Sequence, residues 1–239
     1  MTTARKRNGI PTRPFLLPSL AAFGGGGLAG RGDYDALDFA DRDFTGQDAD
    51  DARFLECRLV RCCLDSCSLQ RARVVGSLLA DVHGASVDFT DSTWRDSHLE
   101  GGRLGALTLT GATWTGVRVH GCRFGFVNLA GAQIEDVVFE ACEIGSLDVR
   151  SARLRSVAFV DCTIGEITVA GAALTKVDLS GARLRSLVGV ESLRGAIVSQ
   201  EQLIDLAPLL ASQLGLEVRG GGPDNGTGSS LGRAGSSVG

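Results

Sequence analysis

The sequence predicts an all-β solenoid, because large apolar residues recur at every fifth position for most of its length. These positions run from Phe39 to Leu184, and stepping by five between the two numbers gives 30 of them. Only Ala49 and Gly84 are not large and apolar. A period of five matches neither a helix nor a strand. We therefore expect a stacked array of short repeats, a β-helix of pentapeptide repeats.

A second period, of twenty residues, predicts the shape of each coil. Trp94 and Trp114 are twenty residues apart, and so are Phe139 and Phe159. Residues that recur every twenty positions lie above their own copies if four five-residue repeats complete one coil. The 30 repeats then make about 7.5 four-sided coils, with a height of roughly 36 Å at the spacing of hydrogen-bonded strands.

The residue two positions before each apolar centre is also predicted to point inward. It is small or apolar almost everywhere, and the exceptions are Arg42, Gln47 and Gly102. Six of the seven cysteines occupy this position, as small buried hydrophobic residues would. Buried, unpaired cysteines are typical of a reducing compartment, so we expect a cytoplasmic protein. The six are Cys57, Cys62, Cys67, Cys122, Cys142 and Cys162.

Glycine recurs every twenty residues at the position after the apolar centre. A type II turn needs a positive φ at its third residue, which glycine adopts without strain. We therefore expect type II turns along one corner of the solenoid, at Gly105, Gly125, Gly145 and Gly165.

The segment before the repeats, residues 1–32, is predicted to be a flexible leader rich in proline and glycine. Within it, Gly25–Gly30 matches the glycine pattern of dinucleotide-binding loops. Such a loop must follow a strand and open a helix, and neither is predicted there. The β-helix itself is assigned to residues 33–190.

A C-terminal helix is predicted to cap the array. Ser199 and Gln202 form a capping-box pattern, and leucines follow at helical spacing up to Gly215. Pro208 is expected to kink this helix or to break it in two. We assign residues 191–218 to a cap or dimerisation segment and residues 219–239 to a disordered tail. The candidate dimer interface is Leu203, Leu206, Leu210 and Leu214.

Composition and charge argue against several classes of function. The formal net charge of −4 is far from that of a nucleic-acid-binding protein, so no direct nucleic-acid binding is expected. No apolar run reaches about 18 residues, so no membrane span is expected. His83, His98 and His120 share no column of the coil, which argues against a metal site. No catalytic set and no cofactor site can be assigned, and a non-catalytic protein is predicted.

The repeated phrase closely resembles the pentapeptide-repeat family. It is seen in Ala132-Gln133-Ile134 and in Ala182-Arg183-Leu184, where a small residue and a polar residue precede the apolar centre. The resemblance covers about 150 residues, from Leu37 to Ser186. It implies a right-handed quadrilateral β-helix, which agrees with the four-sided coil that the twenty-residue columns predict.

Two stretches resemble the branch of that family that binds DNA gyrase and protects it from fluoroquinolones. They are Phe44–Asp48, and Ser192–Ala196 with the helix that follows. The resemblance implies a rod-shaped homodimer, joined through C-terminal helices, that mimics DNA and has gyrase as its protein partner.

The acidic residues of the first repeats are the candidate partner face for such mimicry. Residues 33–100 contain 15 acidic and 7 basic residues, whereas residues 101–186 contain 8 acidic and 9 basic residues. B-DNA would carry about 21 negative charges over 36 Å. The near-neutral second half leaves an alternative open, namely a scaffold repeat protein with no topoisomerase link. The candidate face is Asp38, Asp41, Asp43, Asp48, Asp50 and Asp51.

Overall fold

The computed structural model describes residues 15–216. In this part the chain forms one parallel β-solenoid of about 9 turns followed by one C-terminal helix. The predicted fold class is therefore confirmed. The solenoid is longer than the predicted 7.5 coils because segments before and after the 30 repeats also join it.

Most strands are short because the backbone turns a corner every five residues. The first ten are β1 (Ala21–Ala22), β2 (Asp33–Asp35), β3 (Leu37–Ala40), β4 (Arg53–Leu55), β5 (Arg58–Val60), β6 (Cys67–Ser68), β7 (Arg73–Val75), β8 (Leu78–Ala80), β9 (His83–Asp88) and β10 (Thr93–Arg95). The next ten are β11 (His98–Glu100), β12 (Arg103–Thr108), β13 (Thr113–Thr115), β14 (Arg118–His120), β15 (Arg123–Asn128), β16 (Gln133–Glu140), β17 (Glu143–Asp148), β18 (Arg153–Thr168), β19 (Ala173–Val188) and β20 (Ala196–Ile197).

Successive coils stack in register at a spacing of twenty residues. Trp94 of β10 pairs with Trp114 of β13, and their ring centroids are 5.1 Å apart. Phe139 and Phe159 stack at 4.9 Å with their planes 7° apart. All four rings are buried. One repeat has no core of its own, so burial of these side chains between coils stabilises the array.

We number the four sides of the solenoid and define each side by a column of buried side chains stacked in its core. The ladders are Trp94 and Trp114 on the first side, Phe139 and Phe159 on the second, Phe124 and Ile144 on the third, and Leu109 and Leu129 on the fourth.

The expectation of type II turns at the glycine column is wrong. Most corners have a positive φ two residues after the apolar centre, as at Asp41 with 54° and Gly121 with 63°. The column glycines have no positive φ and lie inside strands that continue across the corner between the third and fourth sides. The reason for glycine is space, because a Cβ on Gly125 would lie 2.5 Å from the carbonyl oxygen of Gly105.

The solenoid begins before residue 33, where the leader was expected to end. Ala21–Ala22 pairs in parallel with Leu37 and Asp38 of β3. Phe23 is buried against Phe39, with ring centroids 4.4 Å apart. Residues 21–32 therefore form a partial coil that covers the lower end of the core.

Two side chains complete this lower end where the partial coil offers no strand. The Arg42 guanidinium donates a hydrogen bond to the carbonyl oxygen of Phe23. The side-chain oxygen of Gln47 accepts a hydrogen bond from the backbone N–H of Leu28 at 2.6 Å. Arg42 and Gln47 are thus exceptions to the small or apolar inward position because their side chains supply hydrogen bonds to backbone groups that have no strand partner here.

Upstream of β1, the chain contacts the second side of the solenoid. The Phe15 ring stacks on the His98 ring at 4.1 Å, with an angle of 28° between the planes. The rest of the predicted leader, residues 1–14, lies outside the described residues.

The upper end is covered by a short 3-10 helix (Val190–Ser192), by β20 and by the helix α1 (Gln200–Gln213). The capping box of Ser199 and Gln202 is present as predicted. The Gln202 amide also donates to the carbonyl oxygens of Leu179 and Ala182 in the last coil.

Of the two alternatives predicted at Pro208, the break is wrong, because α1 continues through this residue, and the kink stays a prediction. Pro208 lies on an exposed part of the helix. Water can therefore satisfy the carbonyl that loses its backbone partner. The predicted tail, residues 219–239, lies outside the described residues.

Candidate interaction surfaces

The six aspartates proposed as a partner face surround the first coil and do not share one side. Asp38 and Asp41 lie on the second side, and Asp43 lies on the third. The remaining three, Asp48, Asp50 and Asp51, lie on the fourth. We call this cluster, which covers three of the four sides at the lower end of the solenoid, the acidic ring.

Four of these six aspartates form ion pairs with arginines one coil above. The Arg58 guanidinium donates two hydrogen bonds to the Asp38 carboxylate, at 3.0 and 2.5 Å. The Arg61 guanidinium contacts Asp41 in the same way, with two bonds of 2.6 Å. Arg71 contacts the other two, Asp50 and Asp51.

The pairing lowers the charge that the acidic ring presents. The hydrogen bond from Arg61 lowers the pKa of Asp41, and that from Arg71 lowers the pKa of Asp51. These carboxylates are thus ionised at neutral pH, but each lies beside a positive charge. Within residues 15–216, Asp43 and Asp48 form no ion pair and accept backbone hydrogen bonds from Thr45 and Asp50.

These ion pairs were not predicted, although the twenty-residue alignment of the sequence contains their signal. Asp33 precedes Arg53 by twenty residues, and Asp38 precedes Arg58 by the same number. The structure shows that pair as well, with Arg53 Nε 2.7 Å from Asp33 Oδ1. Counting charges by segment overlooks the fact that opposite charges twenty residues apart are neighbours.

The leucines of α1 divide between the solenoid and the outer surface. Leu206 is buried and Leu210 is half-buried against the core. Leu203 and Leu214 are exposed, at 50% and 74% of their surfaces. Ile204 was not predicted as part of this surface, and 66% of it is exposed. We call Leu203, Ile204 and Leu214 the outer face of α1.

The cysteines behave as their positions predict. Six are buried, and Cys63 is half-buried on the third side, 3.2 Å from the Thr45 hydroxyl oxygen. Burial raises the pKa of the Cys57 and Cys62 thiols, and it raises the pKa of Cys67 to about 12. These three thiols are therefore protonated at neutral pH and unreactive as nucleophiles.

The histidines lie apart from any metal-binding arrangement. Among residues 15–216, no group of three or more His, Cys, Asp or Glu side chains is placed to hold a metal ion. His98 Nδ1 lies 3.3 Å from Glu100 Oε1, and burial lowers the pKa of His98. In the same part of the chain, no helix is both long and apolar enough to cross a membrane.

Comparisons with known proteins give likenesses of fold only. A scan of family models gives no match, and a search of curated proteins gives none either. Among solved structures, the chain is similar to HetL, a pentapeptide-repeat protein involved in heterocyst differentiation regulation in the cyanobacterium Nostoc. The match has 17% identity and a TM-score of 0.35, and it covers 71% of this chain and 90% of HetL.

A second similar structure is QnrB1, a plasmid-mediated fluoroquinolone resistance protein. The match has 17% identity and a TM-score of 0.41, and it covers 82% of this chain and 99% of QnrB1. The β-helix of pentapeptide repeats in this chain rests on its own strand register.

Proposed function

We propose that this protein is a non-catalytic pentapeptide-repeat β-helix that acts through protein–protein contacts, as a homodimer joined through α1. The proposal of a dimer rests on the exposure of the apolar outer face of α1. One side of the helix covers the last coil through Leu206, whereas Leu203, Ile204 and Leu214 remain exposed. Large apolar residues clustered on one face are typical of an interface.

A second copy of α1 fits this face better than an unrelated partner does. The outer face lies at the upper end of the solenoid, where a two-fold contact would bring identical apolar faces together. The same contact would cover the end of the array, where an open coil risks pairing with other chains. The product would be a rod of two solenoids with both acidic rings at its outer ends.

Charged substitutions on the outer face of α1 test the dimer. Leu203→Asp with Leu214→Asp should reduce the mass measured by light scattering from twice 24.9 kDa to 24.9 kDa. Both residues are exposed, so the variant should keep its circular dichroism spectrum. Leu206→Asp would be a poor test, because burying a carboxylate against the last coil destabilises the fold.

Ser212→Asp is the matched control, since Ser212 is exposed on the opposite side of α1. It adds charge to the same helix and should leave the dimer intact. A wild-type protein that is already monomeric at micromolar concentration would exclude the dimer. Equal dissociation by the control variant would show that the contact does not use the outer face.

The sharper form of the proposal is modulation or protection of DNA gyrase by partial DNA mimicry. It is supported by the resemblance of Phe44–Asp48 and Ser192–Ala196 to the gyrase-binding branch, and by the acidic ring. It is opposed by the ion pairs of the ring, since a DNA mimic needs unpaired negative charges at high density. The scaffold alternative is favoured by that same pairing.

A gyrase supercoiling assay, with and without a fluoroquinolone, separates these two forms. Inhibition of supercoiling or protection from the drug would support the topoisomerase form. Absence of both effects would remove it and leave the scaffold alternative. Pull-down from a cytosolic extract then shows whether gyrase subunits or other proteins are recovered.

A further inference from the structure

The third side carries an arginine-lined groove in the upper coils. Arg103, Arg123 and Arg185 border it together with Glu143. The groove has a volume of about 740 Å³, is open to solvent, and crosses four successive coils, with Arg185 in the coil above them. It therefore runs parallel to the axis of the solenoid, across the strands.

The groove exists because its floor has no side chains. The floor is the glycine column described above, and it continues from coil to coil in β12, β15, β17 and β18. On the first side, the equivalent positions carry Thr115 and Glu135, which project outward. A Cβ at Gly145 would meet the carbonyl oxygen of Gly125 at 2.4 Å, so the floor cannot be filled without moving the backbone.

The arginines of the groove are poorly neutralised. Arg103 and Arg123 occupy the same column in neighbouring coils, and like charges in register repel each other. Arg123 has an exposed partner in Glu143 at 3.3 Å, and such pairs contribute little. Arg103 and Arg185 form no ion pair within residues 15–216. An anionic ligand would relieve this repulsion.

The shape of the groove favours an extended peptide as that ligand. Four glycines in successive coils span about 14 Å, which is the length of about four residues of extended chain. Single-stranded nucleic acid binds through aromatic platforms as well as positive charge. Beside this groove Phe126 is exposed at 36%, whereas Phe124 is buried beneath the floor. One exposed ring does not form such a platform.

We propose that the groove bordered by Arg103, Arg123 and Arg185 binds an extended, acidic segment of a partner protein. The inference deepens the proposed function and rests on it, because the ligand belongs to a protein partner. The contact is separate from the outer face of α1, so a dimer would offer two such grooves.

Binding of a fluorescein-labelled hexaglutamate peptide, followed by fluorescence anisotropy, tests the groove directly. The wild-type protein should bind the peptide with an affinity that falls as salt is added. Arg103→Glu with Arg123→Glu should weaken binding by about tenfold or more. The same variant should gain affinity for hexalysine while it keeps the circular dichroism spectrum of the wild type.

Arg73→Glu with Arg95→Glu is the matched control. Both arginines are exposed on the first side and belong to no ion pair within residues 15–216, and neither borders the groove. The control should bind hexaglutamate like the wild type. An equal loss in the control, or a failure of the wild type to bind, would refute the acidic-peptide groove.

Hexathymidylate serves as the second probe. Binding as tight as that of hexaglutamate would assign the groove to nucleic acid and overturn the proposal. Failure here is distinguishable from failure of the proposed function, because the light-scattering mass does not depend on these arginines and the pull-down is made with the wild-type protein. An intact dimer and a recovered partner without peptide binding would refute the groove alone.

Discussion

In the lower coils, residues 33–100, four arginines lie one coil above aspartates, whereas in the upper coils, residues 101–186, Arg123 lies above Arg103 beside a glycine groove. Both arrangements use the same backbone register of twenty residues. On the first side, the arrangement of the lower coils recurs in the upper coils, where Arg155 lies above Glu135 and pairs with it. The third side departs from it, since Arg123 lies above Arg103.

This difference changes how the charge of the molecule is read. By count, the lower coils are strongly acidic and the upper coils are neutral. In the structure, vertical ion pairs place four of the seven arginines of the lower coils beside aspartates, and the upper coils contain a local positive groove. The net charge of a segment thus predicts the charge of a surface poorly in a solenoid.

The largest expected effect comes from the glycine floor of the upper coils. Gly125→Ala should destabilise the protein by about 3 kcal/mol, because the added methyl group overlaps a backbone oxygen that cannot move alone. Thermal unfolding followed by circular dichroism gives the change. The lower coils, which have Asp65 and Ala85 in this column, do not depend on glycine there.

Gly121→Ala is the control for this prediction. Gly121 has a φ of 63°, but a Cβ there meets nothing within 4 Å. Ala141, one coil above, has a φ of 53°, so the backbone accepts alanine in this column. The cost should be about 1 kcal/mol. If both variants lost the same stability, backbone conformation rather than close packing would explain the glycines.

The sequence was sufficient to predict the coil and its core, because burial repeats strictly every five and every twenty residues. Trp94 above Trp114 follows from spacing alone. The glycine floor could not be predicted, since spacing does not separate a need for positive φ from a need for space. The outer face of α1 was predicted only in part, because which leucines meet the solenoid depends on how the helix docks.

The next effect concerns the lower end of the solenoid. Gln47→Ala should cost about 1–3 kcal/mol, because the backbone N–H of Leu28 loses its hydrogen-bond acceptor. Gln70→Ala is the control, since the Gln70 side chain bonds only the side chains of Asp88 and Arg71, and its loss leaves no backbone N–H unpaired. Chemical unfolding should rank the two variants in this order. The reverse order would show that Gln47 is not a cap.

A smaller effect is expected from the ion pairs of the lower coils. Replacing Arg61 and Arg71 by Gln should raise the pKa values of Asp41 and Asp51, which can be followed by NMR of the carboxyl carbons. Because folding lowers these pKa values, their stabilisation is present above the unfolded pKa of about 3.9 and is lost as pH falls through the folded value.

The double variant should therefore lose less stability than the wild type on acidification below about pH 4. Arg73→Gln is a suitable control, because Arg73 belongs to no ion pair among residues 15–216. Unchanged pKa values in the double variant would mean that the vertical pairs do not persist in solution. The carboxylates of the acidic ring would then be unpaired and open to a partner.

The smallest effect is expected at the contact between Phe15 and His98. Burial lowers the pKa of His98, so its stabilisation is present above the unfolded pKa of about 6.5 and is lost as pH falls toward the folded value. Glu100 opposes this shift and Arg118 adds to it. The melting temperature should therefore decrease between pH 7.5 and 5.5, and His98→Gln should remove part of the decrease.

His120→Gln, at an exposed position of the next coil, is the control and should show the full decrease in melting temperature. An identical pH dependence in all three proteins would show that His98 is not held in its neutral form by this contact.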